Sequence, residues 1–160
     1  MRAAVGRAAE EINRAKLYLP VLVPGALLSI GDCHAAQGDG EVCVTGIGRD
    51  MTLSLSVSVQ QGPPLRPSTY RFRQPKTLRS NGPEAAVSAG GPDLVENARS
   101  AVLGMVEWLE RTRKLTAEDA YLLYRLTVDL QITQIVNSPN YCVTALLPET
   151  TFDAEREPHV

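Results

Sequence analysis

Strand-like and helix-like hydrophobic patterns occupy separate parts of this 160-residue chain, and that separation limits the possible folds most strongly. Residues 51–60 alternate apolar and polar side chains, which is the period of a half-buried strand, and we also expect β structure in the apolar segments 19–23 and 26–30 and a strand at 41–47. Residues 94–113 and 116–136 instead carry apolar side chains at helical spacing, with Thr116 placed to cap the second helix. Strands segregated from helices in this way predict an α+β fold.

The predicted architecture is a β-rich core, built of hairpins or sandwich-like, with two packed C-terminal helices and a final strand at 141–147. Residues 61–93 are rich in Pro, Gly, Ser and Arg, so we expect a long loop there with one short strand at 69–72. The predicted segments are a polar, alanine-rich helical extension at 1–16, the main region at 17–148 and a polar tail at 149–160 that contains His159.

Composition narrows the class of protein. Hydrophobic residues make up 44% and charged residues 21%, with a net charge of -2, so the chain lacks the basic balance of a nucleic-acid-binding domain. The apolar run 17–30 is interrupted by Pro20, Pro24 and Gly25 and is too short to span a membrane. Three cysteines without a C-x-x-C pair favour reduced thiols, so we expect a cytoplasmic protein. From the net charge and the interrupted apolar run we expect neither a nucleic-acid nor a membrane partner.

The window 31–41, GDCHAAQGDGE, has the composition of a functional site. It holds one of the two histidines, three carboxylates and three glycines. Asp32 and His34 are two residues apart, so at a strand end their side chains point to the same side. Asp39-Gly40 is a turn dipeptide, and a hairpin there would return Glu41 toward both of them.

These side chains suit metal-assisted chemistry. Asp32, His34 and Glu41 offer the nitrogen and oxygen ligands that zinc or a similar divalent ion accepts. Such an ion polarises a carbonyl and lowers the pKa of a bound water, and a carboxylate left free of the ion can act as general base. Asp-x-His alone is a weak motif, however, and Gly-Asp-Gly alone is typical of an ordinary turn. Cys33 is also a possible nucleophile, but strand neighbours point to opposite faces, which favours a buried packing thiol.

The window resembles the signature of the acetamidase/formamidase family, and the resemblance extends over 17–47 and 117–148. It implies a β-rich, metal-associated, cytoplasmic and oligomeric enzyme that hydrolyses formamide, acetamide and related short linear amides to the carboxylate and ammonia. On this basis we expect a divalent metal, zinc, and a homo-oligomer that binds a small amide. The expected roles are metal ligation by Asp32 and His34, catalysis by Glu41, and substrate binding by Gln37, Gly38 and Asp39.

Two departures from the family pattern support an alternative. The family usually has Gly-Ile-Glu where this chain has Gly46-Ile47-Gly48, followed by Arg49, and family chains are longer at the N-terminus. The alternative is a catalytically impaired fragment or paralogue that keeps the fold as a non-enzymatic oligomerising protein. A plain β-rich ligand-binding module would account for the strands but would leave the acidic histidine window without a role.

Overall fold

A computed structural model describes residues 15–60, 62, 65–66, 68–74 and 82–155. The predicted extension at 1–16 therefore lies outside the described residues except for its last two positions, and His159 lies outside them as well. The described residues form seven strands and two α-helices, so the predicted α+β class is confirmed. Neither helix in this described part of the chain combines the length and the hydrophobicity of a membrane span.

A five-stranded antiparallel sheet is the main structural layer. Its strands are β1 (Lys16–Tyr18), β4 (Thr69–Gln74), β5 (Glu84–Gly91), β7 (Tyr141–Pro148) and β6 (Asp129–Gln134), in that spatial order. A separate ribbon of two short strands, β2 (His34–Ala36) and β3 (Ile47–Gly48), is also antiparallel. β6 forms one edge of the large sheet, and the 3₁₀ turn Asp39–Glu41 between β2 and β3 packs against it.

Helix α1 (Leu94–Arg113) packs across β5 and β7 and supplies much of the core. Asp93 caps its first turn by accepting hydrogen bonds from the amides of Val95 and Glu96, which satisfies two donors that the helix cannot. Its buried face carries Ala101, Met105 and Leu109, at the spacing that the sequence predicts. The predicted helix at 94–113 is confirmed.

Helix α2 (Ala117–Thr127) packs against α1 and is shorter than predicted. Thr116 caps it as expected, since its hydroxyl accepts a hydrogen bond from the Asp119 amide at 3.1 Å. The predicted end near residue 136 is wrong, because Val128 adopts extended backbone angles and Asp129 begins β6. The spacing of Arg125 and Asp129 predicts an i,i+4 ion pair on a continuous helix, but Asp129 is exposed at the start of β6 and this helical pair does not form.

Several strand predictions also need correction. Within the described stretch 15–60, residues 19–30 and 51–60 form no strand, and of the strand expected at 41–47 only its last residue belongs to β3. The short strand expected at 69–72 is present and extends through Gln74. The loop predicted over 61–93 contains the central strand β5, whose side chains are mostly buried, with Val87 and Ala89 packed in the core against α1. The final strand is found where the sequence predicts it.

Buried hydroxyl groups link the three strands at the β6 side of the sheet. Ser88 on β5 and Thr144 on β7 lie opposite each other in register, and their hydroxyl oxygens are 2.6 Å apart. Thr133 on β6 continues the chain, with its hydroxyl 3.0 Å from that of Thr144. These side chains satisfy one another, which offsets the free-energy cost of burying them. These hydroxyl contacts link β6 to β7, and β6 is the strand against which the candidate site packs.

Candidate functional site

The centre of the site is the pair formed by Asp32 and His34. His34 begins β2 and its side chain is buried, while the Asp32 side chain is 46% exposed. Asp32 has a positive φ of 59°, a left-handed conformation that aspartate adopts more readily than most residues. This backbone turn, rather than strand alternation, brings the Asp32 Oδ1 atom to 3.5 Å from His34 Nε2. The sequence therefore predicted the proximity of the two side chains, although it predicted a different backbone.

The separation of these two atoms suits a shared metal ion. A hydrogen bond between them would be shorter, about 2.7–3.2 Å. Two ligands at about 2.1 Å from a tetrahedral zinc ion lie about 3.4 Å apart, close to the observed 3.5 Å. Among the described residues, no group of three or more His, Cys, Asp and Glu side chains could hold an ion. Asp32 and His34 could therefore supply two ligands to a metal ion. A third protein ligand would have to come from outside the described residues.

Glu41 is held by β6 through a side-chain contact that the sequence did not suggest. Its side chain is buried, and Oε2 accepts a 2.7 Å hydrogen bond from Gln134 Nε2. Gly40 precedes it at φ 83° and Glu41 itself has φ 50°, so the 3₁₀ turn contains two consecutive left-handed residues. Such a conformation in a non-glycine residue costs about 1–3 kcal/mol and persists only where surrounding contacts enforce it. The amide of Ile135, which donates to the Gly40 carbonyl at 3.0 Å, is one of those contacts.

Gly46 allows the loop to close over the histidine. A Cβ atom at this position would lie 2.8 Å from the Ala36 carbonyl oxygen and 3.0 Å from His34 Cγ. Contacts below 3.0 Å are not tolerated without movement, so the backbone at residue 46 packs directly onto the imidazole. Gly48, two residues later, is opposite His34 in the strand register, and a Cβ there would meet nothing within 4 Å.

The other predicted site residues lie at the surface of the same loop. Gln37 is half-buried next to Gly46, whereas Gly38, just before the 3₁₀ turn, and Asp39, its first residue, are exposed. Cys33 is half-buried rather than fully buried as expected, and its carbonyl accepts a 3.0 Å hydrogen bond from the Arg49 amide. The proposed roles of Asp32, His34, Glu41 and the 37–39 segment remain predictions, and the structure supplies their positions.

Gln134 is the site residue that sequence reasoning missed. It lies in a segment predicted as helix, where a glutamine among apolar residues carries no functional signal. The structure makes it the contact between the signature loop and the sheet. The β-branched residues Val128, Ile132 and Thr133 ahead of it were the available sign of a strand.

An antiparallel sheet packed against two helices, with the buried His34 beside the half-exposed Asp32 in the 31–41 loop, defines an α+β protein. The profile of the Acetamidase/Formamidase family matches residues 10–154, and the chain therefore belongs to this family. It is 27% identical over 157 residues to a formamidase of Methylophilus methylotrophus, with 90% of this chain and 38% of that protein covered.

Solved structures show the same likeness. A predicted acetamidase/formamidase from the thermophile Thermoanaerobacter tengcongensis is 30% identical with a TM-score of 0.67, covering 88% of this chain and 43% of that one. An acetamidase from Bacillus halodurans is 26% identical with a TM-score of 0.61, covering 88% of this chain and 44% of that one. The chain therefore spans about two fifths of the length of the relatives it matches.

Proposed function

We propose that this chain forms part of the active site of a hydrolase that converts short aliphatic linear amides, of the formamide and acetamide type, to carboxylate and ammonia. The observation that carries the proposal is the buried His34 imidazole 3.5 Å from the Asp32 carboxylate, in the same loop as the buried Glu41. Family membership and the amidase names of the relatives support it.

We further propose that Asp32 and His34 hold a divalent metal ion, with zinc as the first candidate. Their donor atoms are of the types zinc accepts, and their separation suits two adjacent ligands. When bound, the ion would supply Lewis acidity toward the substrate carbonyl and toward water.

The proposed role of Glu41 is proton transfer. Its carboxylate takes a proton from the attacking water as the carbon–oxygen bond forms. It then delivers that proton to the amide nitrogen as the carbon–nitrogen bond breaks, so ammonia leaves and the carboxylic acid remains, which loses its proton to solvent as the carboxylate. The hydrogen bond from Gln134 would fix the direction of the Glu41 carboxylate during both transfers. Gln37, Gly38 and Asp39 are proposed to contact the substrate at the exposed rim.

The alternative function, a catalytically impaired member that keeps only the fold, is favoured by one specific observation. Gly48 lies directly opposite His34, where a glutamate of the usual family pattern would add a carboxylate on the same face of the ribbon. Its absence removes an acidic group next to the proposed ligands.

Self-association is proposed as a second property, with another copy of the chain as the partner. Large apolar side chains are exposed in the described residues, among them Leu22 at 85%, Val57 at 76% and Leu126 at 72%. Exposed apolar groups in this number are typical of association surfaces. Sedimentation velocity should show an oligomer, and a monodisperse monomer at micromolar concentration would refute this proposal.

Ammonia release from formamide and acetamide, with zinc present, tests the proposed activity. It should be measured for the chain itself and for the chain joined to the upstream half of a family member. His34→Ala and Glu41→Gln should reduce the rate at least 100-fold, since general-base catalysis alone contributes about 10²–10⁴-fold. Glu118→Gln, an exposed carboxylate in the first turn of α2, is the matched control and should keep the rate.

The two functions separate by outcome. An active joined protein whose rate is unchanged by His34→Ala and Glu41→Gln would refute the site assignment. A joined protein that is inactive with Gly48 and active with Gly48→Glu would establish the impaired alternative for the natural sequence.

A further inference from the structure

A second cluster of charged groups lies away from the candidate active site. A cleft between β4 and α1 contains three arginines, Arg66, Arg71 and Arg111, together with Glu107, and Trp108 forms part of its wall. The enclosed room is about 10 Å³, which holds about one water molecule, so a larger group would bind at the open mouth of the cleft. In the sheet order, β4 is three strands from β6, so the cleft lies roughly 14 Å or more from the Glu41–Gln134 contact at the usual strand spacing.

Close packing of α1 on the sheet builds the floor of the cleft. A Cβ atom at Gly104 would lie 2.8 Å from Val87 Cγ1, so the glycine lets the helix approach β5. Arg71 is opposite Val87 in the β4–β5 register and reaches the same space. The Arg71 side chain is therefore half-buried at the wall of the cleft.

Arg71 has an unsatisfied donor. Its Nε atom is buried and has no hydrogen-bond partner among the described residues. Its guanidinium lies over the Tyr18 ring, with Cζ 5.4 Å from the ring centroid, which stabilises the charge but provides no in-plane acceptor. Burial, and next the nearby charge of Arg111, lowers the pKa of Arg71, as expected for a cation without a carboxylate partner.

The one carboxylate among the cleft-lining residues is shared by the other two arginines. Arg66 Nε donates to Glu107 Oε1 at 2.8 Å, and Arg111 Nη2 is 3.8 Å from Glu107 Oε2. Three guanidinium groups thus face a single carboxylate in the described lining, which leaves an excess of positive charge around Arg71. A purely structural ion-pair cluster would satisfy Arg71, and this one does not.

We propose that the cleft is a binding site for a single oxyanion group, a carboxylate or a phosphate, held by Arg71 and Arg111. Guanidinium groups present planar pairs of donors that match the oxygens of such groups, and Arg71, which lines the cleft, keeps an Nε donor without a partner among the described residues. Binding would supply the missing acceptor and offset the excess charge. The site is independent of the amide chemistry proposed for His34.

The experiment is a titration of the full chain with sodium phosphate and, separately, with sodium acetate, each against sodium chloride at equal ionic strength. The midpoint temperature of thermal unfolding should rise with anion concentration, because a ligand that binds the folded state stabilises it. Two-dimensional NMR of the arginine Nε–H groups should show the Arg71 signal moving with the same saturation curve. The two anions separate phosphate from carboxylate preference.

Variants decide the outcome. Arg71→Gln and Arg111→Gln should each weaken binding at least tenfold, and Arg71→Lys, which keeps the charge but loses the planar donor pair, should weaken it as well. Arg99→Gln removes an exposed arginine of the same helix that pairs with Glu96, and it should bind like the parent. Equal shifts in all variants, or an Arg71 Nε–H signal that both anions leave unmoved, would overturn the proposal.

Discussion

Replacing Gly46 by alanine should open the loop that covers His34. The added Cβ would stand 2.8 Å from a backbone oxygen and 3.0 Å from the imidazole, and a backbone atom cannot move aside as a flexible side chain can. Overpacking of this kind costs about 1–3 kcal/mol. Alanine also restricts the unfolded chain, which stabilises the folded state by about 0.4–1 kcal/mol where the backbone angles permit it.

Gly48→Ala provides the matched comparison. It makes the same chemical change in the same ribbon, and the new Cβ meets nothing within 4 Å. The entropic gain is common to both variants, so it cancels in their difference. The steric cost remains, and Gly46→Ala should be less stable than Gly48→Ala by about 1–3 kcal/mol.

Hydrogen exchange of the Arg49 amide measures the difference in local stability between the two variants at the β2–β3 ribbon. That amide donates to the Cys33 carbonyl at 3.0 Å, next to the β2–β3 ribbon, so its protection reports local opening. Protection in Gly46→Ala should be about 5- to 150-fold lower than in Gly48→Ala, the ratio that corresponds to 1–3 kcal/mol. Equal protection in the two variants would refute the argument that residue 46 contacts the histidine.

Three further predictions concern single side chains. Tyr124→Phe should raise the free energy of unfolding by about 1 kcal/mol, because the Tyr124 hydroxyl is buried without a partner among the described residues. Burial raises the pKa of Tyr124 to about 12, whereas tyrosines of the unfolded chain ionise near pH 10, so the free energy of unfolding of the parent should fall between about pH 10 and 12 and that of the variant should fall less. Urea denaturation at pH 7 and pH 11 measures both effects. A less stable variant at pH 7, or a larger loss of stability in the variant at pH 11, would contradict them. Gly48→Glu should tighten zinc binding at least tenfold by adding a carboxylate opposite His34, and an unchanged affinity in calorimetry would count against the pairing. Gln134→Leu should cost about 1.5–3 kcal/mol in urea denaturation by leaving the buried Glu41 without its donor, and parent-like stability would show that the contact is unimportant.

The parts of the fold predicted correctly are those with strong local signals. Helix α1 has a full apolar stripe and a capping aspartate, and β7 has a bounded apolar run, so both were found at their observed positions. β5 was missed because Ala, Ser and Gly have weak strand preference. Its conformation follows from pairing with β4 and β7 under a closely packed helix, and no local pattern records those contacts.

The opposite error occurred where local pattern suggested strands without partners. Residues 51–60 alternate cleanly, yet they form no strand in the described structure, because a strand needs a neighbour to pair with as well as a period. In the site, the i,i+2 spacing predicted that Asp32 and His34 lie close together because of strand alternation. They are close in the structure because Asp32 has a left-handed backbone conformation. The Glu41–Gln134 contact joins positions 93 residues apart, which spacing could not reveal.

The most direct test of the central claim is a zinc titration of the purified chain by competition calorimetry. If Asp32 and His34 are metal ligands, the chain binds one zinc ion, and either Asp32→Asn or His34→Ala weakens binding at least tenfold. Cys43→Ser is the control, because it removes an exposed thiol of the same loop and should bind as the parent does. Parent-like zinc affinity in His34→Ala, or a loss of binding that occurs only with Cys43→Ser, would contradict the account.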